Sequence, residues 1–325
     1  MTPRHIFITG GTGFFGKSIL DYRLRHPEFA RSATLTILSR NPGTFITANP
    51  TLANQPGLRF ITGDVRTFSS TNFTNSTNSG ALANSCNSWT KFDTIIHAAA
   101  LLDPAADEDE IRNVAVDGIR NVITFAKRHG CQKILLTSSG AVYGPSNIPL
   151  DENHALNPLT PYGKAKAEVE KICLDSGIPT LIARCFAFTG PYLNRRIYYA
   201  IGNFIQDCLD GRDIVIKGDG TPLRSYLYAD DLVEWLFAIL DRGEPGRPYN
   251  VGSPKGLSIR KLAETVRSAL GTNNEIKVLD NPCNPCNPWL RPAPSTYVPI
   301  VTRAMTELGL NVTVPLAEAI RKSAR

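Results

Sequence analysis

The sequence has 325 residues, 42% of them apolar and 20% charged, with a formal net charge of +6. That is enough chain for a large core and long for a single one, so one large domain with a smaller lobe is expected. Lysine and arginine are scattered rather than gathered into a stripe, which argues against nucleic acid as a partner, and no run of about 18 apolar residues is present to span a membrane.

The opening "MTPRHIFITGG" enters a strand pattern without a basic region, a longer apolar stretch or a small-residue cleavage site, so no signal peptide is expected. The seven cysteines are widely spaced and mostly inside apolar or helical patterns, as reduced thiols of a cytoplasmic protein would be. Cys283 and Cys286 form a C-x-x-C within "NPCNPCNP", with no second pair or nearby histidine to complete four ligands. A proline-rich loop is expected there, and no metal site.

In chain order, "HIFITG" reads as a strand and 13–25 as a helix, followed by "LTILSR", "LRFITGDV" and "FDTIIHAAA". A helix over 110–129, "KILLTSS", a helix over 163–175 and "TLIARCF" complete the first half. Strands apolar on both faces and separated by helices describe an α/β fold, a doubly wound parallel (Rossmann) sheet. Between them, the Asn-, Ser- and Thr-rich stretch 68–90 has little to bury and reads as a flexible insertion; its sequons at Asn72 and Asn75 read as products of composition. Beyond Phe186 the alternation weakens: a helix over 200–209, "DIVIKGDG", helices over 230–241 and 258–270, and "PYNVGS" suggest a smaller mixed C-terminal lobe. The expected division is 1–185 with about 226–250 as the dinucleotide-binding domain, and 186–225 with 251–325 as the substrate-binding lobe.

Gly10, Gly13 and Gly16 in "FITGGTGFFGKSIL" fall between the first strand and the first helix. Glycines are needed there for a tight turn, for close approach of backbone N–H groups to a pyrophosphate, and for helix-on-sheet packing. An NAD site usually has a carboxylate at the end of the second strand to bond the ribose 2′-OH, but this strand ends in Ser39 and Arg40. A hydroxyl and a guanidinium suit a 2′-phosphate, so NADP(H) is preferred, with NAD(H) the second choice. Asp64, after the third strand, is placed to bond the adenine, with Val65 beside the ring.

"PYGKAK" sets Tyr162 and Lys166 four apart at a helix start, on one face. A lysine beside a phenol favours the phenolate, and such a tyrosine can exchange a proton with a sugar hydroxyl or carbonyl. The motifs "TGGTGFFG", "GDVR", "HAAA", "SSGAVYG", "YGKAK", "RCFAFTGPY", "GDGTPLRSYLYADD" and "YNVGS" occur in this order. Together they make the chain resemble the extended short-chain dehydrogenases/reductases, the nucleotide-sugar epimerases, dehydratases and reductases, over nearly its whole length.

The resemblance implies a catalytic set of Ser139, Tyr162 and Lys166, with Ser138 as a neighbour at the substrate. It implies cofactor contacts at Gly10, Gly13, Phe14, Phe15, Gly16, Ser39, Arg40, Asp64, Val65, Ala98, Ala99, Ala100 and Lys166. Arg224 and Arg291 match arginines that clamp a sugar diphosphate, and Asn250 matches a residue near the nucleotide; Arg195 and Arg196 fall near the expected pocket. The partner implied is a nucleotide-diphosphate sugar, and the assembly a homodimer formed by two helices per subunit.

The family's 4,6-dehydratases carry an Asp-Glu pair where this chain has Gly140 and Ala141, which cannot move a proton, so dehydration is disfavoured. What remains is hydride exchange at sugar C4. An NADPH-dependent 4-keto sugar reductase is the first reading, a 4-epimerase with retained cofactor the alternative, and a non-catalytic NADP-binding sensor or scaffold the reading from another class. Ala115 and Ala187 stand where the family commonly has asparagines near the active site.

Overall fold

A computed structural model describes residues 4–68, 91–101, 103, 105–196, 199–279 and 296–325. Of the expected insertion over 68–90, Phe68 is buried in the core and 69–90, with Asn72 and Asn75, lies outside the described residues, as do Cys283, Cys286 and Arg291.

The elements of the first half are β1 (Arg4–Thr9), α1 (Phe14–Arg25), α2 (Pro27–Ser32), β2 (Ala33–Ser39), α3 (Pro42–Ala48), α4 (Pro50–Ala53), β3 (Leu58–Thr62), β4 (Thr94–His97), α5 (Glu108–Arg128) and β5 (Lys133–Ser139). A 3-10 turn over Gly140–Tyr143 follows, then α6 (Pro161–Asp175), β6 (Thr180–Cys185), β7 (Phe188–Thr189), α7 (Ala200–Leu209), β8 (Ile214–Lys217), β9 (Leu223–Arg224), β10 (Leu227–Tyr228) and α8 (Ala229–Arg242). The last are β11 (Pro248–Val251), β12 (Leu257–Ser258), α9 (Ile259–Leu270), β13 (Ile276–Leu279), β14 (Thr296–Tyr297), α10 (Thr302–Leu308) and α11 (Leu316–Ser323).

Seven strands form one sheet in the order β11-β6-β5-β4-β1-β2-β3, and the pairs β1–β2, β2–β3, β1–β4 and β4–β5 are parallel. Six of the seven follow the order 3-2-1-4-5-6 of a dinucleotide-binding Rossmann sheet, whose direction reverses beside β1. Its central strands are apolar on both faces, as β1, buried from Ile6 to Thr9, illustrates.

The chain divides into two compact units, Met1–Ser138 with Thr160–Ala183 and Ile239–Pro248, and Ser139–Leu159 with Arg184–Ala238 and Tyr249–Arg325. In the first, Phe7 lies 4.6 Å from Phe125, 5.3 Å from Phe92 and 6.0 Å from Phe68, centroid to centroid. Each buried ring contributes roughly 2–3 kcal/mol by leaving water. In the second, Phe204, Ile205, Ile214, Tyr226, Leu262 and Ile320 form the core, and β8 pairs in parallel with β13. Among the described residues no helix is long and apolar enough to cross a membrane.

Candidate active site

In the first unit, the turn from β1 to α1 is built without side chains because there is no room for them. A Cβ on Gly10, which has a φ of +74°, would lie 2.5 Å from the carbonyl carbon of Ala98, and one on Gly16 would lie 2.1 Å from the Gly11 oxygen. The first turn of α1 has no acidic residue, and its N-cap Gly13 makes no side-chain bond. A bare glycine cradle ending on uncapped amides fits the pyrophosphate of a dinucleotide.

The end of β2 places Ser39 in a buried position and Arg40 in solvent. Asp64 accepts from the Arg66 backbone N–H (2.8 Å), Nε (3.0 Å) and Nη2 (2.8 Å). The Arg66 side-chain bond, with Arg40 contributing, holds its carboxyl below the usual carboxylate range. Asp64 thus has a guanidinium partner within the protein. The Val65 side chain packs toward Gly118 of α5, where an added Cβ would come within 3.2 Å of it.

Tyr162 and Lys166 are set by the start of α6. Thr160 Oγ1 accepts from the Gly163 N–H at 3.0 Å, and Pro161, which has no N–H to satisfy, opens the helix. One turn on, Lys166 is buried, donates from Nζ to the Thr137 carbonyl at 2.8 Å, and lies 5.8 Å from the Tyr162 ring centroid. Another turn on, buried Glu170 accepts from Ser138 Oγ. Opposite them on β4, His97 Nδ1 is bonded to Thr9 Oγ1 at 2.8 Å. Burial first, and then the Lys166 charge, push the His97 imidazole down to about 3, so it is neutral.

In the second unit, Ser139 Oγ accepts from the Ala141 N–H at 3.2 Å. Burial pushes the Tyr297 phenol up. Tyr297 is paired in register with Arg224 across β14 and β9 and lies 4.8 Å from the Phe186 ring. The Phe186 ring also fills the space over Gly140, where an added Cβ would lie 2.8 Å from it. The Gly140 position is therefore closed to a larger side chain as well as lacking an acid. Ala187 is packed in the apolar core of this unit, and Ala115 against that of the first, so amides there would meet hydrocarbon.

The side chains of Asn250, Ser138 and Arg195 are committed to partners within the protein. Asn250 is fully buried: its Nδ2 donates to Leu150 O (2.9 Å) and Ile300 O (3.1 Å), and its Oδ1 accepts from Tyr143 Oη (2.8 Å). It fastens backbone segments together and has no free face for a nucleotide. Ser138 turns its hydroxyl onto Glu170, because alternate residues of a strand face opposite ways. Arg195 donates to the carbonyls of Ser323 and Arg325, tying down the C-terminal helix, while Arg196 is exposed.

His97, Glu170 and Tyr297 escaped the sequence reading. Glu170 carries a signal, lying four residues after Lys166 on one helix face. His97 heads the "HAAA" motif, whereas Tyr297 has only its distance from Arg224 in the fold to identify it. Among the described residues no cluster of His, Cys, Asp and Glu could hold a metal ion.

A model of the NAD dependent epimerase/dehydratase family matches residues 6–252. UDP-glucuronic acid decarboxylase 5 of Arabidopsis thaliana is 33% identical over 215 residues, 63% of this chain and 60% of the relative. The trifunctional UDP-glucose 4,6-dehydratase/UDP-4-keto-6-deoxy-D-glucose 3,5-epimerase/UDP-4-keto-L-rhamnose-reductase RHM1 of the same plant is 26% identical over 86% of this chain and 42% of its own length. The chain thus spans about 60% or less of the length of these curated relatives. Among solved structures, UDP-glucuronic acid 4-epimerase from Bacillus cereus in complex with NAD has the same fold, with a TM-score of 0.80 at 20% identity over 98% of this chain and 97% of that one. The glycine turn, the strand order and the family match carry one conclusion: the chain belongs to the NAD dependent epimerase/dehydratase family.

Proposed function

We propose that this chain is an NADPH-dependent reductase of nucleotide-diphosphate 4-keto sugars. The observation that carries the choice of cofactor is the end of β2, where Ser39 and exposed Arg40 stand without a carboxylate. A guanidinium bonds a 2′-phosphate, which a carboxylate would repel.

When bound, the dinucleotide supplies the hydride. The chain's own residues handle the proton: Tyr162 gives it to the sugar oxygen, Lys166 keeps a positive charge beside that phenol, and Ser139 donates to the same oxygen. Arg224, half-buried beside Tyr226 and Tyr297, is the proposed grip on the diphosphate, with Arg291 as its second arm. Gly140 and Ala141 provide no second acid and base, so the chemistry stays at one carbon. The first unit is proposed to hold the dinucleotide and the second the sugar nucleotide, in a homodimer.

A 4-epimerase that keeps its cofactor is the second reading; the name of the Bacillus cereus neighbour favours it, as the reductase activity in the name of RHM1 favours the first. The decarboxylases among the relatives add UDP-glucuronic acid to the substrates worth assaying. The test is NADPH absorbance during incubation with a panel of UDP- and dTDP-4-keto sugars. Consumption supports the reductase. Interconversion of UDP-hexoses, or release of CO2 from UDP-glucuronic acid, with no consumption would replace it.

A further inference from the structure

The turn that follows β3 is held by three sets of bonds. Gly63 donates its N–H to the Ser39 carbonyl at 2.9 Å, continuing the register that pairs Ser39 with Thr62, so the ends of β2 and β3 lie side by side. The Asp64 carbonyl accepts from the Thr67 and Phe68 N–H groups at 3.0 and 2.8 Å. From α5, Asn121 Nδ2 donates to the carbonyls of Val65 and Arg66. Arg66 therefore springs from a fixed backbone, in a turn that adjoins the strand end carrying exposed Arg40.

One residue fills most of the Asp64 carboxylate. Its Oδ1 accepts from the Arg66 backbone N–H at 2.8 Å and from Nε at 3.0 Å, and its Oδ2 accepts from Nη2 at 2.8 Å. This is the two-pronged fit of guanidinium to carboxylate, which fixes direction as well as charge. Both lone pairs of Oδ1 are taken, whereas Oδ2 keeps one that an adenine amino group could use in either dinucleotide. Without Arg66, the carboxylate would turn its charge on Arg40, which already acts on it. It would then compete for that guanidinium and repel a second anion brought to it.

We propose that Arg66 is a specificity-determining residue for the dinucleotide: by engaging Asp64 it keeps Arg40 available to a 2′-phosphate and masks a carboxylate that would repel one. This rests on the reading of NADPH as the cofactor. β2 ends without an acid, but Asp64 brings one to the neighbouring strand end, and Arg66 cancels its charge. The ribose hydroxyl of NADH carries no charge, so the masking leaves NADH unaffected.

The test is calorimetric titration of NADPH and NADH into wild type, Arg66→Ala, Asp64→Asn, the double variant and Arg40→Ala. Arg66→Ala is expected to weaken NADPH about fivefold at low ionic strength, the scale of one unit charge acting through water on a phosphate some 8 Å off, and the loss should shrink as salt is added. Its affinity for NADH should stay at the wild-type value, which also shows that the variant is folded. Asp64→Asn keeps an oxygen for the turn and removes the charge, so adding it to Arg66→Ala should restore the wild-type preference for NADPH over NADH. An unchanged preference in Arg66→Ala, or equal losses for both dinucleotides, would overturn the proposal. So would a double variant no better than Arg66→Ala, since Arg66 would then hold the phosphate itself. If wild type binds NADH as tightly as NADPH, or Arg40→Ala keeps the preference, the reading of the cofactor fails and the proposal falls with it. A preference that Arg40→Ala abolishes and Arg66→Ala leaves intact rejects the proposal alone.

Discussion

Lys166 Nζ donates at 2.8 Å to the carbonyl of Thr137, so the end of β5 and the first turns of α6 are joined through the cation beside Tyr162. Replacing Lys166 with methionine keeps the volume but leaves the Thr137 carbonyl without this partner, costing about 1–3 kcal/mol. If Tyr162 exchanges the proton as proposed, turnover should fall by about 10²-fold or more, since the tyrosine loses its neighbouring charge. Urea unfolding and turnover of one preparation separate the two effects. A large loss of turnover with an unchanged unfolding midpoint would show that the Thr137 bond contributes nothing to the fold.

His97 makes stability depend on pH. Folded, the imidazole is held down to about 3 by burial and by the Lys166 charge, whereas unfolded it titrates near 6.5. Below about 6.5 the unfolded chain therefore binds a proton that the native one refuses, and stability falls until the pH nears 3. Between pH 7.5 and 5 the loss from this group is about 2 kcal/mol. His97→Asn should flatten that part of the profile of unfolding free energy against pH. An unaltered slope would place the titration elsewhere.

Two glycine substitutions should have opposite effects. Gly16→Ala puts a Cβ 2.1 Å from the Gly11 oxygen, a backbone atom that cannot step aside, and should cost about 3 kcal/mol or more and abolish dinucleotide binding. Gly43→Ala lies in α3 with nothing within 4 Å of the new Cβ, and should stabilise by about 0.5–1 kcal/mol. Thermal unfolding of both variants, with calorimetric titration of NADPH into each, checks the pair.

On the proposed reading, Arg40 is the residue that meets the 2′-phosphate of NADPH. Arg40→Ala should weaken NADPH about tenfold, the value of roughly one charge-assisted hydrogen bond at an exposed site, and leave NADH unchanged. Fluorescence titration with both reduced cofactors reads the difference. Equal losses for the two would mean that Arg40 does not meet a 2′-phosphate.

The sheet was legible in the sequence because its central strands are buried on both faces and its long helices are periodic. The short helices were not. α2 buries no residue and so has no apolar period, and α3 and α4 each begin at a proline, which in sequence reads equally as a loop. At the candidate site, spacing within one helix found Tyr162 and Lys166. It could not see that the Ser138 hydroxyl turns onto Glu170, which needs the facing of β5, nor that the partners of Asn250 are Leu150, Ile300 and Tyr143, each at least 50 residues away.

The most direct test of the central claim follows the hydride. Incubation of the protein with NADPH deuterated at the transferred position and the 4-keto nucleotide sugar it consumes should give a product one mass unit heavier than that formed with unlabelled NADPH. One oxidised cofactor should be released per sugar, and Tyr162→Phe should abolish both. Unlabelled product, or sugar interconversion with no net oxidation of NADPH, would contradict the reductase.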